Sequence, residues 1–275
     1  MLLNTLRRVA TAIAGRRAVA EPVLPLEVEQ KLGGLHGRAP VDRHLEALFD
    51  GLNVGGERFT ALYQRCLEQT GTAVTPFNVF QRFQTRATML RYLEATQRLG
   101  GARAECGAYR GATALLFCHA LRSSQPDFRG EGFYLIDSFS GTSDSVAEDL
   151  IPVRGEDGAI RMEAFFPAGK TDVTAQMVRG YFQDFPEAQV CAGWIPQVFA
   201  AVPDCDWCFV HLDLTLYEPT RAALDYFYPR LVKGGVIICD GSIFCPGAEK
   251  AVDDFCAAQD ITYVVLGHRE AVLIK

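Results

Sequence analysis

Two spacings of apolar residues divide this chain. From Arg58 to Leu67, and again from Asn78 to Leu99, apolar side chains recur every three or four positions (Phe80, Phe83, Ala87, Leu90, Leu93), which is the period of one helix face. Gly100-Gly101 stops the second of these helices. Beyond it, short and nearly continuous apolar runs alternate with helical stretches. Strands are expected at Ala102–Cys106, Phe133–Asp137, Gln189–Gly193, Trp207–Asp213 and Val236–Asp240. Helices are expected at Thr113–Leu121, Val173–Phe182, Pro219–Leu231 (ended by Lys233-Gly234-Gly235) and Gly247–Ala258. Ile261–Leu266 and Ala271–Ile274 read as a closing hairpin. Strands that alternate with helices specify a doubly wound parallel sheet, to which the hairpin adds an antiparallel strand. Ser138–Lys170 carries few periodic signals and reads as a loop or lid, longer than an ordinary connection.

The first part of the chain is different. Residues 1–76 read as an N-terminal helical extension or cap, and 77–275 as the α/β domain. Within Met1–Arg17, Leu3, Leu6, Val9, Ala10 and Ile13 share a helical face, with Arg7, Arg8, Arg16 and Arg17 around it. Arg7 and Arg8 interrupt the apolar core a signal peptide would need, so a helix packed on its own domain or on a partner subunit is expected, with a basic amphipathic helix on a membrane surface as the alternative. These N-terminal helices are the candidate homodimer contact. Residues 18–56 read as linker and cap.

Composition narrows the partners. A net charge of −6 leaves no basic face for a phosphate backbone, so no nucleic-acid partner is expected. No apolar stretch approaches the roughly 18 residues of a membrane span. The nine cysteines are scattered through apolar runs, as reduced thiols of a cytoplasmic protein would be. Cys205 and Cys208 form a lone CxxC without the second pair of a zinc site.

In such sheets a ligand sits beyond the carboxyl ends of the strands, near the point where strand order reverses. Asp137, Asp213 and Asp240 end three strands, and Glu105 lies at the end of the first. Four acids at one rim suggest a polar ligand or a metal, with helix capping as the alternative. Gly107 and Gly111, in the turn after Glu105, would let backbone pass close to a ligand. Asp137 is placed to accept both hydroxyls of a ribose. The turn lacks the GxGxxG spacing, so the combination points to an adenosine ligand without a pyrophosphate.

Five motifs then stand in order. They are Glu105-Cys-Gly-Ala-Tyr-Arg-Gly111, Leu135-Ile-Asp-Ser-Phe-Ser-Gly141, Gly193-Trp-Ile-Pro196, His211-Leu-Asp-Leu-Thr-Leu-Tyr-Glu-Pro-Thr220, and Gly234-Gly-Val-Ile-Ile-Cys-Asp240 followed by Cys245-Pro-Gly-Ala-Glu-Lys-Ala-Val252. Together they resemble the macrocin O-methyltransferase (TylF-type) family, over roughly Phe77 to Phe255. The resemblance implies a seven-stranded class I methyltransferase fold, S-adenosylmethionine (SAM) as cofactor, usually Mg²⁺, and methylation of a small-molecule, natural-product or sugar-like hydroxyl or amine. Carried onto this chain, it places Glu105, Gly107, Tyr109 and Thr113 around the methionine part of SAM. Asp137, Ser138 and Phe139 would hold the ribose and adenine, Gly193 and Trp194 would close the adenine side, and Thr88 and Met89 would cover the cofactor. For Phe139 and Trp194, core packing is the open alternative.

Two positions depart from the family pattern: Thr215 and Gly241 stand where it has acids. Only Asp213 and Asp240 then remain as anionic metal ligands, and no functional Mg²⁺ is expected, because that ion takes several hard oxygen ligands in octahedral geometry. Without a metal, Asp213, Tyr217 and Asp240 are the candidate catalytic groups, with Asp213 also beside the cofactor; the lid acids Asp144 and Glu148 remain open as bases. His211 reads as a hydrogen-bonded core histidine. The lost acids also leave open another use of SAM, cyclisation or cleavage to methylthioadenosine, and a SAM-binding protein without catalysis.

Overall fold

The computed structural model describes Phe49 and residues 51–73, 79–154, 157–164, 166, 168–169, 171–240, 245–267 and 269–275. The amphipathic helix expected at 1–17, the dimer contact assigned to it, and most of the linker lie outside the described residues.

The cap that is described begins with a short hairpin, β1 (Asn53–Val54) and β2 (Glu57–Arg58), and helix α1 (Phe59–Thr70). Phe59, Leu62, Tyr63, Cys66, Leu67 and Thr70 form the buried face of α1, the i, i+3, i+4 stripe of a helix lying on a core. Gly71 ends it in a left-handed conformation (φ 63°), its N–H reaching back to the carbonyls of Leu67 and Glu68. Helix α2 (Val79–Thr96) follows, and Phe83 meets Tyr63 edge-on at 4.9 Å between ring centroids. The cap and the sheet therefore share one core.

The sheet is built from β3 (Ala102–Cys106), β4 (Phe133–Asp137), β7 (Gln189–Ala192), β8 (Trp207–Leu212), β9 (Leu231–Cys239), β10 (Val264–Val265) and β11 (Ala271–Ile274). Its seven strands run in the order β10-β11-β9-β8-β3-β4-β7. The four inner pairings from β9 to β7 are parallel, and β11 and β10 are added antiparallel, as the closing hairpin requires. Every residue of β3 and β8 is buried, which is why these segments show no alternation of apolar and polar positions: both faces are covered. One face carries α1, α2, α3 (Ala112–Ser124) and α4 (Ala175–Tyr181). The other carries α5 (Tyr217–Arg230) and α6 (Pro246–Gln259). The chain builds β3, β4 and β7 outward, then returns to β8 beside β3, so strand order reverses between β3 and β8. This is the seven-stranded, doubly wound sheet that the sequence anticipates.

Two local expectations are corrected. Lys233-Gly234-Gly235 does not end a helix. Helix α5 stops at Arg230 because Leu231 is already extended (φ −69°, ψ 132°) and paired with Trp207. The glycines lie within β9, where the register slips between Leu231 and Val236 and Gly234 takes φ 81°. Nor is Ser138–Lys170 structureless: β5 (Leu150–Arg154) and β6 (Ile160–Ala164) pair antiparallel within it. Nearly all of β6 is exposed, including Ile160 and Met162, so no buried face imposes a strand period. The root of this hairpin is fixed. Asp149 is buried, accepting the N–H of Val146 at 2.9 Å and of Tyr217, the first residue of α5, at 2.7 Å. It caps α5 from outside that helix.

His119, on α3, is the titratable group in this core with the plainest consequence. It is half-buried, edge-on to Phe185 at 5.1 Å, and its Nε2 has no hydrogen-bond partner among the described residues. Burial, followed by the charges of Arg65 and Arg122, lowers its pKa to about 4. An unfolded histidine titrates near about 6.5. The folded state therefore disfavours the proton, and the stability present above pH ~6.5 is lost as pH falls toward the folded value. Thermal melting between pH 7 and 5 should show a falling Tm that His119→Gln flattens; parallel curves for the two proteins would remove His119 as the cause.

Candidate active site

The carboxyl ends of β8 and β9 are locked by one cation. Asp213 follows β8, its N–H bonded to the Cys106 carbonyl at 2.8 Å, and Asp240 follows β9, its N–H bonded to the Leu212 carbonyl at 2.8 Å. Parallel register thus sets the two carboxylates side by side. Beneath them lies Arg86 of α2. Its Nη1 donates to Asp240 Oδ2 at 3.0 Å, its Nη2 to Asp213 Oδ2 at 3.2 Å, and its Nε to Thr113 Oγ1 at 3.0 Å, in the first turn of α3. The Arg86 side chain is 2% exposed, while those of Asp213 and Asp240 are 33% and 20% exposed. The guanidinium is therefore sealed below, and the carboxylates face the opening.

The electrostatics follow from this packing. Burial alone would raise the Asp240 carboxyl, but the charges of Arg86 and His211 and the hydrogen bond from Arg86 outweigh it and hold the pKa below the usual carboxylate range. Burial likewise opposes the charge of Arg86, and Asp240, Tyr63, Asp213 and Glu105 more than restore it. A buried ion pair of this kind stabilises little by itself, yet removing one partner leaves an uncompensated charge and costs about 3–5 kcal/mol.

Glu105, expected at the rim, lies inside instead. It is 2% exposed, and its Oε1 engages Nδ1 of His211 at 2.9 Å; burial raises its pKa, and the His211 hydrogen bond offsets this in part. His211 is fully buried, as a core histidine should be. Its Nε2 and Glu105 Oε2 have no partner among the described residues.

These residues also decide whether a divalent ion fits. A ring nitrogen of His211 and one oxygen each of Asp213 and Asp240 lie within 4.8 Å of one another. That is a cation's ligand set, but the cation bonded to both carboxylates is Arg86. The residues as arranged do not suit Mg²⁺. Gly241 lies outside the described residues.

The other half of the rim lies at the ends of β3, β4 and β7. Asp137 accepts the Tyr109 N–H on Oδ2 and the Phe139 N–H on Oδ1, both at 2.8 Å. Both donors have φ 48°, a left-handed backbone uncommon for bulky residues, and Asp137 holds them there. Burial raises the Asp137 pKa, and the two N–H groups work against that rise. Ser138 donates to the Gly141 carbonyl at 2.8 Å, closing the next turn, and the Gly193 N–H is bonded to the Asp137 carbonyl at 2.9 Å. Tyr109 and Trp194 are 47% and 41% exposed, so core packing is not the role of Trp194; Phe139 is partly buried against the core.

Several of the expected residues make contacts within the protein. A side chain at Gly107 would meet the Asp213 carbonyl, and one at Gly111 the Phe182 ring. Met89 is in the core, Thr88 donates to the Gln84 carbonyl, and Thr113 is committed to Arg86. The hydroxyl of Tyr217 donates to Asp254 on α6 at 2.9 Å. Among the lid acids, Asp144 is exposed and Glu148 half-buried. Arg86 was not anticipated. Its signal was present: it lies on the apolar stripe, three residues after Phe83 and four before Leu90, where a charge must have a buried partner.

Residues 81–267 match the Macrocin-O-methyltransferase (TylF) family. The chain belongs to that family. The match takes in Arg86 and every rim residue described above. Among curated relatives, the chain is 29% identical over 161 residues to demethyldecarbamoylnovobiocin O-methyltransferase of Streptomyces niveus, covering 57% of this chain and 58% of that protein. It is 26% identical over 140 residues to the 8-demethyl-8-(2,3-dimethoxy-alpha-L-rhamnosyl)-tetracenomycin-C 4'-O-methyltransferase of Streptomyces olivaceus, covering 50% and 51%. The chain thus spans little more than half the length of these relatives. Among solved structures, the O-methyltransferase NovP superposes with TM-score 0.57 at 22% identity, over 70% of this chain and 80% of that one. The calicheamicin methyltransferase CalS11 does so with TM-score 0.56 at 19% identity, over 83% and 95%. At these identities the likeness is one of fold. Among the described residues, no helix is long and apolar enough to cross a membrane.

The TylF-family rim hangs on one glycine contact. A Cβ at Gly107 would stand 2.1 Å from the Asp213 carbonyl oxygen, at φ 81°. The left-handed backbone alone would cost about 1–2 kcal/mol, and the clash adds to it. Gly107→Ala should lower Tm by several degrees and displace Asp213; a melting curve matching the wild type would show that the two loops are not in contact.

Proposed function

We propose that this chain is a SAM-dependent O-methyltransferase that acts on a hydroxyl of a small natural product or sugar-like molecule and works without a divalent metal. The observation that carries the reading is the division of one rim into two unlike halves. The half at β3, β4 and β7 has exposed aromatics, Tyr109 and Trp194, around a carboxylate that fixes two turns. It suits a nucleoside, with stacking surfaces for adenine and Asp137 for ribose hydroxyls. The half at β8 and β9 offers two half-exposed carboxylates to an acceptor. Family membership supports the reaction, and the two relatives named as O-methyltransferases of natural products, one of them of a rhamnosyl-bearing compound, support the acceptor class.

When bound, SAM supplies a sulfonium-activated methyl group. The chain's residues must then bring a hydroxyl into line with it and take its proton. Arg86 engages Oδ2 of both aspartates, leaving their other oxygens for the acceptor. Asp240, held ionised, is a weak base and serves to orient the hydroxyl by accepting a hydrogen bond. Asp213, the more exposed of the two, accepts the proton as the oxygen attacks. The lid hairpin, whose root Asp149 accepts the first N–H of α5, lies in the segment between β4 and α4 and closes over the acceptor.

Two measurements test this. Calorimetry should show S-adenosylhomocysteine binding, weakened about 10- to 100-fold by Asp137→Ala, the equivalent of losing hydrogen bonds worth about 1.5–3 kcal/mol at a charged acceptor. Equal affinities would take Asp137 out of the site. In turnover assays against deoxysugar-bearing acceptors, S-adenosylhomocysteine should accumulate equally with and without EDTA, and Asp213→Asn should lower kcat by about 100-fold or more, the scale of a lost general base. Release of methylthioadenosine, or activity lost in EDTA and restored by Mg²⁺, would overturn the reading.

A further inference from the structure

The group joining Asp213 and Asp240 is a side chain of the protein, and the surroundings of that side chain are those of a cation site. Four features support this. Arg86 bridges carboxylates from two adjacent strands with separate nitrogens, so its charge sits between them as an ion's would. Its third contact, to Thr113, fixes the guanidinium from behind. A ring nitrogen of His211 lies within 4.8 Å of both carboxylates, and Nε2 of this buried ring has no partner. Nδ1 of the same ring is held by Glu105, the arrangement that fixes the tautomer and orientation of a metal-binding histidine.

We propose that Arg86 is the resident cation of this rim: it excludes divalent metal from the wild-type protein, and its removal turns His211, Asp213 and Asp240 into a divalent-cation site. The charge balance requires this direction. With Arg86 present, the two aspartates carry one net negative charge and have one oxygen each committed. Without it, two adjacent carboxylates stand unneutralised over a buried imidazole, and a small hard cation restores the balance. A divalent ion with ligands near ~2.1 Å needs ligand atoms about 3–4 Å apart, so the cluster must contract slightly, which the half-exposed aspartates allow. As a buried group, Arg86 acts on any acceptor only through these two carboxylates and is a positioning residue.

The test uses Mn²⁺ alone as probe, with free ion followed by electron paramagnetic resonance and Tm measured in parallel on the full chain. Wild type should leave the free-ion signal unchanged to about 1 mM, roughly tenfold or more above the Kd expected of the variants. Arg86→Lys keeps the charge and should also bind none. Arg86→Ala and Arg86→Gln should each remove about one Mn²⁺ per chain, with Kd on the order of 10–100 μM, and gain Tm from it. Adding Asp240→Asn to either should abolish the binding. A stabilising role without cation replacement predicts a lower Tm in both variants and no Mn²⁺ effect, and that result overturns the proposal. So does Mn²⁺ binding by wild type that Asp240→Asn removes. If neither variant folds alone, recovery of a cooperative melt in Mn²⁺ supports the proposal, and failure to recover it counts against it. No acceptor or turnover is needed, so the outcome is independent of the methyl-transfer reading.

Discussion

A guanidinium buried under two carboxylates sets the geometry on which the rest of the rim depends. Side by side in parallel register, Asp213 and Asp240 would repel, and one would hold its proton. Arg86 removes that conflict, and Asp240 stays ionised although burial works against it. The same three contacts join four elements: α2 through Arg86 itself, the first turn of α3 through Thr113, and the ends of β8 and β9. One residue earlier, Thr85 donates to buried Glu270 at 2.7 Å, tying α2 to the closing hairpin as well. The position of α2 across the sheet is therefore fixed by polar contacts as much as by Phe83, Leu90 and Leu93.

The two halves of the rim are coupled where strand order reverses. Gly107 after β3 and Asp213 after β8 lie so close that no side chain could stand between them. On one side of that contact the next turn places Tyr109 under the control of Asp137; on the other, the chain bears the carboxylate that Arg86 holds. A shift of either loop must move the other. A reaction that needs a cofactor carbon and an acceptor oxygen aligned within a few tenths of an ångström gains from such a rigid seam.

The centre of the sheet was legible in the sequence because β3 and β8 are buried on both faces, and a run such as Trp207–Leu212 can hardly be anything else. The limits of legibility have particular causes. The start of β9 was missed because Gly234 and Gly235 act inside a strand as a register slip, where glycine more often ends a helix. The lid hairpin was missed because β6 buries nothing and so carries no period. The motifs found the two carboxylates but not their partner, since Arg86 lies outside them, on α2, and its meaning depends on a contact 127 residues away. The partner of Tyr217 was hidden for a similar reason: its hydroxyl bonds Asp254 on the neighbouring helix, 37 residues away.

A guanidinium and a divalent ion balance the same carboxylates with different chemical reach. An ion can exchange ligands and take an acceptor oxygen into its own coordination shell, drawing charge from it directly. Arg86 is fixed by three hydrogen bonds and is covered by the residues it serves, so its influence ends at Asp213 and Asp240. In the proposed reaction an acceptor hydroxyl at this rim then keeps its ordinary acidity until a carboxylate takes its proton. Proton transfer and methyl transfer have to occur together, because no separate alkoxide is stabilised beforehand. That makes placement the main contribution of the protein, and placement is what the buried arginine, the glycine seam and the pinned turns provide.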